Sequence, residues 1–478
     1  MQNIFITMQL YRGEQHFLFT NLIRFGKTHL RDHHVNGLLI ENLTGKIMSY
    51  KKTLDYMYAQ LPMYHRIGAS AYKANLDNTI ALCKILNNPQ KSFRSVHISG
   101  TNGKGSVAHM LASVLQTANY RTGLYTSPHL RDFRERIRVN GKMIPRSYVS
   151  SFIKKYQDQF EKFQPSFFEL TVGMAFNYFR DQQVDIAVVE VGLGGRLDST
   201  NIITPVVSAI TNVSMDHMQF LGNTLNKIAT EKAGIIKPGI PVVIGETQKE
   251  TKKVFLEKAS SCDSEILFAD QLFSVSSGGS YHDSAKKRIF DIEMKGSPFM
   301  NKVVLPLPGL YQRKNLVTVM GICSVLKKKG YSLTQQEIRD GLRNVIVNTG
   351  FAGRWQVLGQ DPLVICDTGH NEGGIKEVVA QLAITPHKQL HCVIGFVNDK
   401  RLEPILEQLP LKGIYYYCKP NVPRGLDVKV LQKAATDSGL RGTAYPSVKD
   451  AIKAAIANAD KNDLVFIGGS NFVVAEAV

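Results

Sequence analysis

Apolar positions along this chain fall into two kinds of pattern. Short continuous runs stand at "VHIS" (96–99), "DIAVVEV" (185–191), "VVSAIT" (206–211) and "PVVIG" (241–245), with "TGLYTS" (122–127) as a further strand. Between the first run and the next lies a helical period, with Val107, Met110, Leu111, Val114 and Leu115 at i, i+3, i+4, i+7 and i+8. A strand that is apolar at every position is buried on both faces. Alternation with helices therefore predicts a parallel sheet covered on both sides.

Upstream, a helix is expected from Lys52 to Leu61. Residues 270–305 break the rhythm with Gly/Ser turns and short strand-like pieces, which predicts a small β insertion. Helices are expected near 310–328 and 334–343, and "NTGFAGR" (348–354) reads as a linker. A second alternating series follows. Its strands are "PLVIC" (362–366), "HCVIGF" (391–396), "IYYYC" (414–418) and "DLVFIGG" (463–469), with helices near 373–383, 402–408, 427–438 and 447–459. The expected fold class is α/β. A parallel-sheet nucleotide-binding domain with a small β insertion spans 48–347, and a smaller Rossmann-like α/β domain spans 348–478. Residues 1–47 lack either period and carry five basic and three acidic residues. They are expected to be a disordered extension or a mispredicted start, with Met48 the natural start. They lack the apolar core of a secretory signal.

Composition narrows the class. The 478 residues allow two or three domains. No apolar stretch reaches the roughly 18 residues of a membrane span, so no membrane partner is expected. The six cysteines form no C-x-x-C pair and several lie in apolar runs, which predicts buried reduced thiols and a cytoplasmic location. The net charge of +18 admits a nucleic-acid binder, but no helix-turn-helix, zinc-finger or aromatic RNA-binding signature accompanies it. Anionic small ligands are the favoured reading, with no nucleic acid and a monomeric chain.

Chemistry concentrates where the strands end. "HISGTNGKGS" (97–106) resembles a phosphate-binding loop, with Gly105 inserted between Lys104 and Ser106. It follows a buried strand and opens a helix, where backbone N–H groups and the helix dipole favour phosphate. "VVEVGLGGRLDSTN" (188–201) puts Glu190 at a strand's carboxyl end, where open α/β sheets bind ligands. A carboxylate there is a candidate Mg²⁺ ligand or an ion-pair member. "ITNVSMDHMQFLG" (210–222) offers His217, either a metal ligand or a structural histidine, and "EKAGIIKPG" (231–239) offers Lys232. In "ICDTGHNEGG" (365–374), Asp367 either caps a helix or receives a nucleotide hydroxyl, with His370 beside it.

Taken in order, "GTNGKGS", "TSPHL" with "RERIRVNG", "EVGLGGRLDSTN", "DH", "EKAGIIK", "GR" and "DTGHN" resemble the folylpolyglutamate synthase/dihydrofolate synthase family, the folate branch of the Mur ligases. The resemblance covers about residues 48–478. It implies an ATP-dependent ligase with its cleft between two lobes. Gly103, Lys104, Gly105 and Ser106 would bind the triphosphate. Ser127 and Glu190 would hold a first Mg²⁺, and His217 would help hold a second. The lysine matching Lys232 is often carbamylated. Asn315, Arg354 and Asp367 match nucleotide positions, and His370 lies beside them. Ser166, Phe167, Phe168 and Glu169, with Leu197, Asp198 and Ser199, would contact the pterin. Tyr311 stands where the family usually has His, and Ala352 where it has Pro. Thr368-Gly369 stands where Ala often precedes the histidine.

The implied reaction joins L-glutamate to dihydropteroate, to folates such as tetrahydrofolate polyglutamates, or to both. A carboxylate is a poor acyl donor, so ATP would first convert it to an acyl phosphate. Lys104, Lys232, His217 and His370 are the candidate catalytic residues. Two alternatives remain at this level: a Mur ligase acting on a UDP-muramoyl peptidoglycan precursor, and a nucleic-acid-stimulated P-loop NTPase.

Overall fold

The predicted central sheet forms, with eight strands. They are β1 (Arg94–Ser99), β2 (Thr122–Tyr125), β3 (Ile137–Val139), β4 (Lys142–Met143), β5 (Ile186–Glu190), β6 (Val207–Ile210), β7 (Val242–Ile244) and β8 (Ile266–Phe268). Their spatial order is β4-β3-β2-β5-β1-β6-β7-β8. β1 pairs in parallel with β5 and with β6, while β3 and β4 run antiparallel at one edge. Every residue of β5 and β6 is buried, as their continuous apolar runs require. This computed structural model describes residues 49–61, 75–277, 287–398 and 401–478. The extension 1–47 and Met48 lie outside the described residues.

Helix α1 (Lys104–Thr117) follows β1, and Val107, Met110, Leu111, Val114 and Leu115 are all fully buried. The burial goes further than one helical face, running without a break from Ser106 to Leu115. The small residues Ala108, Ala112 and Ser113 make this possible. The helix Gln335–Arg343 packs against its second side, close enough that a Cβ on Gly341 would lie 2.5 Å from Val114 Cα. Each buried Val or Leu side chain contributes roughly 1.5–3 kcal/mol here.

The other face of the sheet is covered by α2 (Phe167–Asp181) among others. After β6, helix α3 (Leu225–Ala233) leads to β7. The expected β insertion is a three-stranded antiparallel sheet, β9 (Phe273–Ser277), β10 (Arg288–Met294) and β11 (Ser297–Leu305). It joins the core cluster that holds α1 and α4 (Gln312–Lys328).

The third sheet has the order β12-β13-β17-β14-β15-β16. Its strands are β12 (Gln356–Gln360), β13 (Leu363–Cys366), β14 (Leu390–Ile394), β15 (Ile414–Cys418), β16 (Arg441–Tyr445) and β17 (Leu464–Gly468). Only β12 runs antiparallel. Helix α5 (Glu372–Ile384) follows β13. The expected linker is shorter than its sequence suggested, because Val345–Thr349 is a helical turn and the chain crosses to β12 through residues 350–355. The upstream helix runs Tyr50–Gln60. All six cysteines are buried free thiols. Among the described residues no helix is long and apolar enough to cross a membrane.

Candidate functional site

The carboxyl ends of β1, β2, β5 and β6 open on one cavity of about 580 Å³, a size typical of small-molecule sites. Every site residue expected from the sequence lines it, including Arg354, Asp367 and His370 from the third-sheet lobe.

The glycine loop forms the floor. Gly103 has φ +85°, and a Cβ there would lie 2.1 Å from Asn315 Oδ1, so only glycine fits. The first backbone bond of α1 is Val107 N–H to Gly103 O, at 2.9 Å. The amides of Lys104, Gly105 and Ser106 thus have no acceptor within the helix and suit an anion. Ser106 Oγ is buried without a hydrogen-bond partner. Lys104 Nζ folds back on the loop, donating to Gly100 O (3.0 Å) and Thr101 O (3.1 Å). A triphosphate would draw these groups outward.

Glu190 ends β5 and is 4% exposed. Its Oε2 accepts the Ser127 N–H at 3.1 Å. Burial pushes its pKa up, against the Lys104 charge and the Ser127 N–H. A buried carboxylate in this state gains most from a divalent cation, and oxygen donors suit Mg²⁺. Among the described residues no group of three or more His, Cys, Asp or Glu is placed to hold a metal. A cation between Ser127 and Glu190 would therefore complete its shell with phosphate oxygens and water. That donor set fits the expectation.

Beyond Glu190 lies a second polar cluster. Asp216 Oδ2 is 3.9 Å from His217 Nε2 and 3.6 Å from His370 Nε2, so it stands between the two expected histidines. His217 itself holds a left-handed φ of 49°. Lys232, on α3, is only 3% exposed. Burial lowers its pKa to about 7, the Lys104 charge adds to the drop, and Asp216 opposes it. A partly neutral amine in a cavity is a nucleophile.

Asp367 directly follows β13 but does not cap α5. That role belongs to Asn371, whose Oδ1 accepts the Gly374 N–H at 2.8 Å. Asp367 Oδ1 accepts Gly369 N–H (2.7 Å), while Oδ2 accepts Trp355 N–H (2.7 Å) and the Tyr311 hydroxyl (2.5 Å). Asn315 Nδ2 donates to Gln312 Oε1 at 2.8 Å.

The expected pterin residues line the same cavity but carry structural bonds as well. Ser166 and Glu169 form a capping box at the start of α2, with Ser166 N–H to Glu169 Oε2 at 2.6 Å and Glu169 N–H to Ser166 Oγ at 3.2 Å. Asp198 accepts from Leu193 N–H (2.8 Å), Thr200 N–H (3.0 Å) and Thr200 Oγ1 (2.5 Å), which fixes the loop that carries Leu197 and Ser199. Phe167 and Phe168 supply the apolar wall.

The sequence reading named no role for Asp216, Asn371 or Arg136. Arg136 is 2% exposed and lines the cavity, with Nε on His129 Nδ1 (2.7 Å) and its guanidinium over Phe167. Among the described residues it makes no ion pair. It closes the turn Phe133–Arg136 directly before β3, and "RERIR" gives it no mark that sets it apart from Arg134 or Arg138.

Comparison with known proteins decides the family. The Mur ligase middle domain matches residues 98–323, and the Mur ligase glutamate ligase domain matches residues 353–471. The chain is 32% identical to a folylpolyglutamate synthase of Lacticaseibacillus casei, over 88% of this chain and 96% of that one. The chain belongs to the folylpolyglutamate synthase/dihydrofolate synthase family. The resemblance drawn from the motifs and the α/β fold class both hold. The structure of E. coli FolC in complex with DHPP and ADP superposes with a TM-score of 0.76 at 27% identity, covering 90% of this chain and 96% of that one. A bifunctional folylpolyglutamate synthase/dihydrofolate synthase with Mn, AMPPNP and L-glutamate bound matches with the same TM-score at 26% identity, covering 90% and 97%. The family is one of ATP-dependent ligases. The peptidoglycan and nucleic-acid alternatives are not favoured.

Proposed function

We propose that this protein joins L-glutamate to a folate-type carboxylate, on dihydropteroate, on tetrahydrofolate polyglutamates, or on both, at the expense of ATP. The observation that carries this reading is the single cavity that gathers the glycine loop, Glu190 and Lys232 with Arg354 and Asp367 from the other lobe.

The acceptor carboxylate attacks the γ-phosphorus, giving an acyl phosphate and ADP. The glutamate amine then attacks the acyl carbon, forming the amide and releasing phosphate. Catalysis of phosphoryl transfer is mainly positioning and charge neutralisation. Residues 103–106 cradle the triphosphate, and Lys104 leaves its loop carbonyls for the phosphate oxygens. Asn315, Arg354 and Asp367 hold the nucleoside. Two Mg²⁺ ions, one at Ser127 and Glu190 and one at His217 with a carbamylated Lys232, would neutralise phosphate charge. His370 stands beside these nucleotide groups as a candidate catalytic residue, its Nε2 3.6 Å from Asp216 Oδ2. Phe167, Phe168 and Leu197 enclose the pterin, with Ser166, Glu169, Asp198 and Ser199 shaping that wall. Arg354 completes the site from the second lobe, which excludes water from the acyl phosphate.

The domain division at 347/348, a monomeric state and a cytoplasmic location belong to the same proposal. The test supplies ATP, L-glutamate and either dihydropteroate or tetrahydrofolate, and reads product mass. A gain of one glutamyl unit on each acceptor establishes dual activity. No gain on either, with turnover of a UDP-muramoyl substrate, would overturn the reading.

A further inference from the structure

Two asparagines from opposite lobes hold each other across the cleft. Asn102 Nδ2 donates to Asn371 Oδ1 at 3.1 Å, and Asn371 Nδ2 donates to Asn102 Oδ1 at 3.0 Å. Asn371 Nδ2 also donates to Asp216 Oδ2 at 2.9 Å, while its Oδ1 accepts the capping Gly374 N–H at 2.8 Å. One side chain, 3% exposed, thus ties the first turn of α5 to the phosphate loop and to the Asp216 cluster.

Both ends of this clasp are anchored. The Asn102 N–H donates to Asn212 Oδ1 (3.0 Å), and its carbonyl accepts the Thr211 hydroxyl (2.6 Å), so it is fixed to the end of β6. The approach is also built into the second lobe. A Cβ on Gly373 would lie 2.9 Å from Ser214 Oγ and 3.2 Å from Asn102 Nδ2. The group at position 371 must donate twice and accept twice, which a carboxamide does and a carboxylate or hydroxyl does not.

We propose that Asn371 is a positioning residue for the ligase reaction. Its clasp on Asn102 sets the phosphate loop and the second lobe in their reactive register, and it orients Asp216 between His217 and His370. This rests on the ligase reading above. The clasp acts on the transition state rather than on nucleotide affinity, because the loop and its amides stay intact without it.

Two variants separate this from a role in folding. Asn371→Ser keeps an N-cap group but is too short to reach Asn102. Asn371→Asp keeps the cap but donates nothing and faces Asp216. Each is compared with wild type, with Asn102→Ala and with the double variant Asn102→Ala/Asn371→Ser. The readouts are kcat, KM for ATP, ADP affinity by calorimetry, thermal midpoint, and phosphate released per amide formed. The expected result is a kcat lower by about 10- to 100-fold in both Asn371 variants, with ADP affinity within about threefold of wild type. Phosphate release should exceed amide formation, and the double variant should lose little beyond either single one. A kcat within about twofold of wild type in whichever Asn371 variant folds, or fully additive losses, would overturn the clasp. A wild-type protein that makes no amide defeats the ligase reading instead. The clasp is then judged by small-angle scattering, where a larger radius in Asn371→Asp supports it and an unchanged radius overturns it.

Discussion

The Tyr311 hydroxyl donates to Asp367 Oδ2 at 2.5 Å, joining the start of α4 to the carboxyl end of β13 in the other lobe. Burial and the Asp367 charge raise the phenol's pKa well above its usual value, so it remains a proton donor at any working pH. With the amides of Trp355 and Gly369 it fills three of the carboxylate's lone-pair positions. Tyr311→Phe removes one of these and leaves Asp367 under-satisfied, at a cost of about 1–3 kcal/mol. Because Asp367 is proposed to hold the nucleoside in ground and transition states alike, KM for ATP should rise up to about tenfold with kcat within about threefold. Steady-state kinetics with ATP varied checks this. Tyr311→His, the residue the resemblance leads one to expect, should retain more of the affinity than Tyr311→Phe.

Glu190→Gln keeps the shape and removes the charge. If Glu190 holds a cation beside Ser127, the variant should need a higher Mg²⁺ concentration for half-maximal rate. Its kcat should fall by about 10²–10³, the scale of a lost electrostatic contact to a transition state. Titration of activity with Mg²⁺ is the check. A variant with an unchanged Mg²⁺ requirement would move the cation site elsewhere.

Lys232 carries a pH signature. Its folded pKa of about 7 lies below the ordinary 10.5. Between these values the unfolded chain binds the extra proton, so stability rises with pH through that window and the penalty of burying the charge is greatest below about 7. Thermal melts of wild type and Lys232→Met at several pH values should differ most near pH 6 and converge toward pH 10. The same partly neutral amine should accept CO₂. Labelled bicarbonate should give a carbamate carbon signal in wild type that is absent from Lys232→Arg.

Much of this site was legible in the sequence, for a physical reason. Strands buried on both faces must be apolar throughout, so β1, β5, β6 and β17 announced themselves, and ligand groups sit at their carboxyl ends. The strands β12 and β16 were not visible. Their positions are half-exposed, and "QVLGQ" and "RGTAY" carry no apolar run. Ser166 and Glu169 were read as ligand contacts, although S-x-x-E before an apolar run is also a capping box, and the structure forms that box. Asp216 and Asn371 stood beside the residues that drew attention, but their importance comes from contact between lobes, which no local pattern encodes.

Lys104→Met removes the ammonium while keeping the stem. Loss of about 3–4 kcal/mol of transition-state stabilisation corresponds to a rate lower by about 10²–10³. ADP should still bind through the loop amides, and calorimetry of ADP binding beside the rate assay separates the two effects.

The acyl phosphate is the claim to test most directly. Dihydropteroate labelled with ¹⁸O in its carboxylate is incubated with ATP, L-glutamate and the protein, and the released phosphate is examined by mass spectrometry. One ¹⁸O atom in the phosphate for each amide formed is the predicted result, because the carboxylate oxygen leaves bound to phosphorus. Amide formation with unlabelled phosphate would contradict the account.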